Sequence, residues 1–123
     1  MEKHTWVITG GAGFIGSHLA KELLRRGQTV RIVDNFASGR RENLTSIQDQ
    51  IHLIEGDIRD ENVLLTAFAA ADYVLHHAAL VSVPQSVAQP LDTFDINTLG
   101  TANVLECARK RGVKRVVFAC SSA

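Results

Sequence analysis

The stretch GGAGFIG, Gly10–Gly16, constrains the fold of this chain more than any other. It sets Gly10, Gly13 and Gly16 in a G-x-x-G-x-x-G pattern, directly after the apolar run TWVIT (Thr5–Thr9) and directly before a helical pattern. A strand that turns sharply into a helix needs a residue tolerant of unusual dihedrals. An anion held at such a turn needs backbone close by with no Cβ in the way, and the helix N-terminus supplies amides and a partial positive charge. Three spaced glycines also suit a plain turn that packs a helix on a sheet, so the pattern alone leaves both readings open.

The rest of the chain repeats the same alternation. Thr5–Thr9, Thr29–Asp34, Gln50–Glu55, Tyr73–His77 and Arg115–Cys120 read as five short strands, nearly continuously apolar, as strands covered on both faces should be. Helices are predicted at about Phe14–Arg26, Glu61–Ala70 and Leu91–Arg111, with a shorter one near Arg40–Ile47. In the first, Ile15, Leu19 and Leu23 form one stripe, with Gly16 and Ala20 beside it for close packing. Two helices end alike, as RRG at Gly27 and KRG at Gly112, with cations at the negative dipole end and then a left-handed cap. Strand–helix–strand alternation implies a parallel sheet with right-handed crossovers. The expected architecture is an α/β, Rossmann-type doubly wound sheet of order 3-2-1-4-5, with ligands bound above the carboxyl ends of the strands where the order reverses.

That geometry tests the glycine turn. The second strand ends in Asp34, at about the 20-residue distance where a carboxylate accepts both ribose hydroxyls of an adenosine and repels an extra 2′-phosphate. The pair of features predicts a dinucleotide site with NAD preferred over NADP. Arg40 and Arg41 follow soon after and are the feature that would soften the preference.

Composition narrows the partners. With 13 Lys and Arg against 13 Asp and Glu, the chain carries no formal net charge and no charged block, so neither nucleic acid nor a membrane surface is indicated. No apolar run approaches the roughly 20 residues that span a bilayer. The sequence enters a strand at once, leaving no room for a signal peptide, and a cytoplasmic location is expected. Cys107 and Cys120 lack metal-ligand spacing and read as small core residues.

With TGGAGFIGSHL (Thr9–Leu19) as its phosphate loop, the chain resembles the extended short-chain dehydrogenase/reductases of the NAD-dependent epimerase/dehydratase family, in particular UDP-hexose 4-epimerases. The resemblance runs through every segment. It implies that the amides of Phe14 and Ile15 face the pyrophosphate, that Asp34 is the ribose ligand, and that Asn35, Ser38 and Gly39 line the adenosine. GDIRD (Gly56–Asp60) resembles the adenine-edge segment, with Asp57 accepting from the exocyclic amine and the Ile58 amide pairing with the ring. HHAAL (His76–Leu80) matches the loop that runs beneath the cofactor, so His77, Ala78 and Ala79 are cofactor-side residues. NTLGT resembles N-V-x-G-T and implies that Asn97 buttresses the site, with Thr98 where valine is usual.

Plainer roles stand beside these. Asp57 also suits a helix or turn cap. His76 and His77 invite a metal, but neighbours on a strand point to opposite faces and no third ligand is evident, so packing or a supporting hydrogen bond is expected and no metal. Asn97 would also tie a helix to a loop. Ser82 either touches a substrate phosphate or starts the turn ahead of Pro84.

By the same resemblance Ser122 bonds the sugar hydroxyl that is oxidised, and Ser121 beside it is a cofactor-side residue. A Y-x-x-x-K pair beyond that strand supplies the base, hydride passes to NAD, and a 4-keto sugar turns over and is reduced from its other face. The sequence contains one tyrosine, Tyr73, followed four residues later by His77 and not by lysine. Residues 1–123 are therefore expected to be an incomplete NAD-binding domain, inactive alone, of a protein roughly twice this size or more, whose substrate domain lies elsewhere. Ala123 stands where dehydratases place an acid, and VSVPQS lacks their histidine-containing segment. Epimerase leads; dehydratase, decarboxylase, reductase or a non-catalytic NAD-binding module are the alternatives. A homodimer built on long helices is implied. Arg115–Cys120, as an unpaired apolar edge, is expected to make the isolated chain associate or be only marginally stable.

Overall fold

The computed structural model describes residues 2–78, 88, 90, 91 and 95–118. Five strands, β1 (Thr5–Thr9), β2 (Thr29–Asp34), β3 (Ile51–Glu55), β4 (Tyr73–His76) and β5 (Arg115–Phe118), form one sheet in the order β3-β2-β1-β4-β5. Every pairing is parallel. The expected topology is borne out, and the strand order reverses between β1 and β4.

Alternation along the strands divides the core into two layers. Val7, Val33 and Val74 face helices α2 (Glu61–Ala67) and α3 (Gly100–Lys110), where Leu64, Phe68, Val104 and Cys107 are fully buried. Ile8, Val30 and Ile32 face α1 (Phe14–Arg25) and a 3-10 helix, Arg41–Ile47, against Ala20, Leu44 and Ile47. Leu44 and Ile47 are three apart, the spacing at which 3-10 side chains eclipse on one side. Cys107 is a core residue as expected, its thiol pushed above its usual range first by burial. Cys120 lies outside the described residues.

Several boundaries differ from expectation. β3 begins at Ile51, one residue late. β4 stops at His76: the His77 amide makes the last bond to β1, at the Thr9 carbonyl (2.9 Å), and the backbone then crosses Gly10. The α1 stripe is shorter than the pattern implied: Leu19 and Leu23 pack on the core, whereas Ile15 is 59% exposed. Helix α2 starts at an Asp60 cap accepting from the Asn62 and Val63 amides and ends at Ala67, three residues early. Within the helix expected over Leu91–Arg111, Leu91 is helical, Asp95–Leu99 form a π turn and α3 follows to Lys110, while residues 92–94 lie outside the described residues. The two expected glycine caps have left-handed φ, +79° at Gly27 and +70° at Gly112.

β5 pairs with β4 alone among the described residues, and Val117 and Phe118 are half-exposed. On the α1 side of this edge, Trp6, Tyr73 and Val117 line a cleft of about 530 Å³ with His4, Lys114 and Arg115.

Candidate dinucleotide-binding site

The glycine turn sits at the carboxyl end of β1 and is held from three sides. Gly10 takes φ +72°, and its amide donates to the Val33 carbonyl at 2.7 Å. A Cβ there would lie 2.7 Å from the Ala78 nitrogen and 2.8 Å from the His77 carbonyl carbon, so the exit of β4 presses directly on the turn. A Cβ on Gly16 would overlap the Gly10 carbonyl, which fixes how closely α1 approaches. Gly11, outside the spaced pattern, is excluded from carrying a side chain by Ile32, whose Cγ2 would be 2.6 Å away.

Gly13 differs from the others. It is the N-cap of α1, and a Cβ on it would meet nothing nearer than the Gly10 oxygen at 3.4 Å. Phe14 and Ile15 project outward, 75% and 59% exposed. The first amides of a helix have no intrahelical acceptor. Here no side chain caps them and the first turn carries no acid, so this end of α1 keeps its donors and its positive dipole end for an anion.

Asp34, at the end of β2, is 7% exposed and organises the neighbouring wall. One carboxylate oxygen accepts from the Ala12 amide (3.0 Å) and the other from the Phe36 amide (2.7 Å). Each oxygen has two acceptor positions, so each retains one for a hydroxyl. Gly39 returns the chain against this carboxylate: a Cβ there would lie 2.9 Å from it and 2.8 Å from the Ala12 methyl. The Ala12 carbonyl accepts from the Arg40 amide (3.0 Å) and the Asn43 side chain (2.8 Å). Asn35 and Ser38 are exposed on the same loop, and Asn35 accepts from the Ala37 amide (3.0 Å).

Both arginines after β2 have carboxylate partners. Arg41 pairs with Glu55 (2.8 Å) and lies 4.2 Å over the Phe36 ring, and Arg40 pairs with Glu42 (3.7 Å).

Asp57 makes the turn-capping contacts: it accepts from the Arg59 amide (2.8 Å) and pairs with its guanidinium (2.7 Å). That side-chain contact, chiefly, holds its carboxyl below the usual range despite partial burial. Ile58 is buried, and its carbonyl accepts from Asn103 of α3 (2.8 Å).

On the other side of the turn, the amides of His77 and Ala78 both reach Thr9 Oγ1, at 3.0 and 3.2 Å. Burial lowers the His77 pKa from its ordinary value. Asn97 is half-buried in the π turn. No group of three metal-ligating side chains occurs among the described residues. Ala79, Ser82, Ser121 and Ser122 lie outside them. The sequence reading missed Thr9, Ala12 and Asn43, which brace the turn through contacts that no local pattern marks.

Comparison with known proteins gives this geometry a setting. A family model described as the NAD dependent epimerase/dehydratase family matches residues 6–123. The chain is 41% identical over 120 residues to a UDP-N-acetyl-alpha-D-glucosaminuronate decarboxylase of Bacillus cytotoxicus, covering 98% of this chain and 37% of that protein. It is 38% identical over 121 residues to a UDP-glucose 4-epimerase of Lacticaseibacillus casei, covering 97% of this chain and 36% of that one. Its fold matches the crystal structure of the Thermus thermophilus UDP-glucose 4-epimerase complex with NAD at a TM-score of 0.86 and 40% identity, over 95% of this chain and 37% of that chain. The chain thus spans little more than a third of the length of these relatives.

Proposed function

The chain belongs to the NAD dependent epimerase/dehydratase family, and from that premise we propose that it is the NAD-binding part of a sugar-nucleotide epimerase of the UDP-hexose 4-epimerase type. The observation that carries the reading is the buried Asp34 carboxylate, clamped to the Ala12 amide of the glycine turn and retaining acceptor capacity on both oxygens. NAD held between the glycine turn and Asp34 would supply a reversible hydride acceptor for a sugar carbon.

The chain's own part in this reading is to bind and orient. The Phe14 and Ile15 amides take the pyrophosphate beside Gly10, Gly13 and Gly16, and Asp34 takes the adenosine ribose. Asn35, Ser38 and Gly39 line the adenosine, with Asp57 and the Ile58 amide at the adenine edge. His77, Ala78 and Ala79 run beneath the dinucleotide, Asn97 buttresses it, Ser121 lies on the cofactor side, Ser82 meets the nucleotide-sugar and Ser122 bonds the sugar hydroxyl that is oxidised. Residues 1–123 form the cofactor half, and a separate substrate domain completes the enzyme. The relatives' greater length supports that division. Tyr73 does not serve as the base here: it sits at the start of β4, its ring 4.6 Å from Trp6 and 5.3 Å from His4. The chain alone therefore gives no turnover of UDP-sugars. A cytoplasmic homodimer fits exposed Leu99 and Leu105 at α3 and the lack, among the described residues, of a helix long and apolar enough to cross a membrane.

The 41% match to a decarboxylase favours a second reading, in which the same cofactor half serves a relative of different chemistry. Full-length protein given UDP-glucose and, separately, a UDP-uronic acid separates the two by product. The cofactor assignment is tested by calorimetric titration of the chain with NAD and NADP. NAD is expected to bind at least about tenfold more tightly, and Asp34→Ala to abolish the difference; equal affinities in the wild type would overturn it.

A further inference from the structure

The ends of β1 and β4 are joined to α3 by one chain of hydrogen bonds whose centre, His76, has no role in the reading above. His76 is 6% exposed, with Nδ1 2.6 Å from Thr9 Oγ1 and Nε2 2.9 Å from Thr101 Oγ1. The direction of every bond follows from counting donors. Thr9 Oγ1 accepts from the Ala78 amide and shares the His77 amide with the Thr9 carbonyl, so two backbone N–H groups already point at it. At the other end the Thr101 hydroxyl gives its proton to the Asn97 carbonyl, which can only accept, so Thr101 Oγ1 accepts from the ring and the Thr9 hydroxyl proton goes to His76 Nδ1. Nδ1 is then the bare nitrogen, the ring proton sits on Nε2, and that N–H donates to Thr101 Oγ1. The Thr101 hydroxyl donates in turn to the Asn97 carbonyl at 2.8 Å. An imidazolium would aim a second N–H at a hydroxyl oxygen toward which two backbone amides already point.

This chain sets two backbone positions in the crevice. The His77–Ala78 backbone, whose amides hang on Thr9, is the part of β4's exit that presses on Gly10. The Asn97 carbonyl belongs to the π turn at the entry to α3. We propose that His76, as the neutral Nε2–H tautomer, is a positioning residue that sets the gap between the β4 exit and the π turn, and so shapes the half of the dinucleotide crevice remote from Asp34. The crevice assignment rests on the dinucleotide reading; the tautomer does not.

Two measurements test it on the full chain. Long-range ¹H–¹⁵N correlation of the histidine rings in the unliganded protein should show His76 as the Nε2–H tautomer at pH 7 and still neutral at pH 5. Burial, then the neighbouring His77, hold its pKa down to about 4, while Thr9 on β1 and Thr101 on α3, which face it, carry no charge. An Nδ1–H tautomer, or titration at the ordinary value, overturns the proposal. The second measurement compares NAD with ADP, which lacks the remote half. His76→Asn keeps an acceptor toward Thr9 but loses the link to Thr101, and His76→Gln keeps a donor toward Thr101. Each is expected to weaken NAD about tenfold, the worth of one buried hydrogen bond, and to leave ADP within about twofold. Equal losses for both ligands, or none for NAD, overturn the positioning role. A wild type that binds neither ligand removes the dinucleotide reading and the role built on it, while the tautomer result stands or falls separately.

Discussion

The two flanks of the crevice are built by different means. On the β2 side, the glycine turn is placed by steric exclusion and by a carboxylate: Gly10, Gly11, Gly16 and Gly39 leave no space for a Cβ, and Asp34 ties two amides. On the β4 side, the same turn is met by backbone hung from a relay of neutral hydroxyls and one imidazole. The first flank fails when volume is added. The second is sensitive to which atoms carry protons. A binding crevice at a strand-order reversal therefore has one rigid wall and one whose spacing depends on protonation.

The largest effect expected on this contrast is Gly10→Ala. A left-handed φ costs a side chain about 1–2 kcal/mol, and overlap with the His77–Ala78 backbone adds about 1–3, so denaturant unfolding should show a loss of about 4 kcal/mol. Gly13→Ala is its control. With only the Gly10 oxygen near, it should lose less than about 1 kcal/mol of stability yet lose most NAD affinity, because its Cβ would occupy the phosphate side.

Acid comes next. In the unfolded chain His76 takes a proton near its ordinary 6.5, whereas in the fold it stays neutral to about pH 4. The folded state binds fewer protons in that window, so its contribution is fully present above about pH 6.5 and falls away toward pH 4, by about 3 kcal/mol. Asp57 and Asp72, whose folded values are lowered, lose their contributions further into acid. Chemical unfolding of wild type and His76→Gln between pH 7 and pH 4 isolates the histidine: the wild type should lose about 3 kcal/mol more.

Asp34→Ala should cost about 2 kcal/mol in the same assay, since two amides lose charged acceptors and Ala12 is buried. The smallest effect belongs to the exposed Arg41–Glu55 pair, whose stability contribution is at most about 1 kcal/mol. Glu55→Gln should leave stability unchanged within about 0.5 kcal/mol and raise NADP affinity about twofold by releasing Arg41 toward a 2′-phosphate.

The β2 flank was legible because its constraints are local. Glycine spacing after TWVIT, the Asp34 ending of TVRIVD and the alternation of Val7 with Ile8 sit within short stretches of sequence. The β4 flank was not. Thr9 and Thr101 meet His76 across 67 and 25 positions, and neither threonine stands out in its own segment. Asn43 reaches the Ala12 carbonyl across 31 positions for the same reason. The π turn escaped because the apolar pattern of Ile96, Leu99 and Val104 runs through it, and one extra residue in a turn leaves no mark on composition. Ile15 fell off its stripe because the first turn of α1 overhangs the crevice and not the core.

The central claim is that the glycine turn and Asp34 hold a dinucleotide together. Its most direct test is a titration of the ¹⁵N-labelled chain with NAD, followed residue by residue. The largest amide shifts should fall on Gly13, Phe14 and Ile15 and on the Asp34–Phe36 segment, saturating together. Saturation with those amides unmoved, and the changes gathered instead around Trp6, Tyr73 and Val117, would contradict the account.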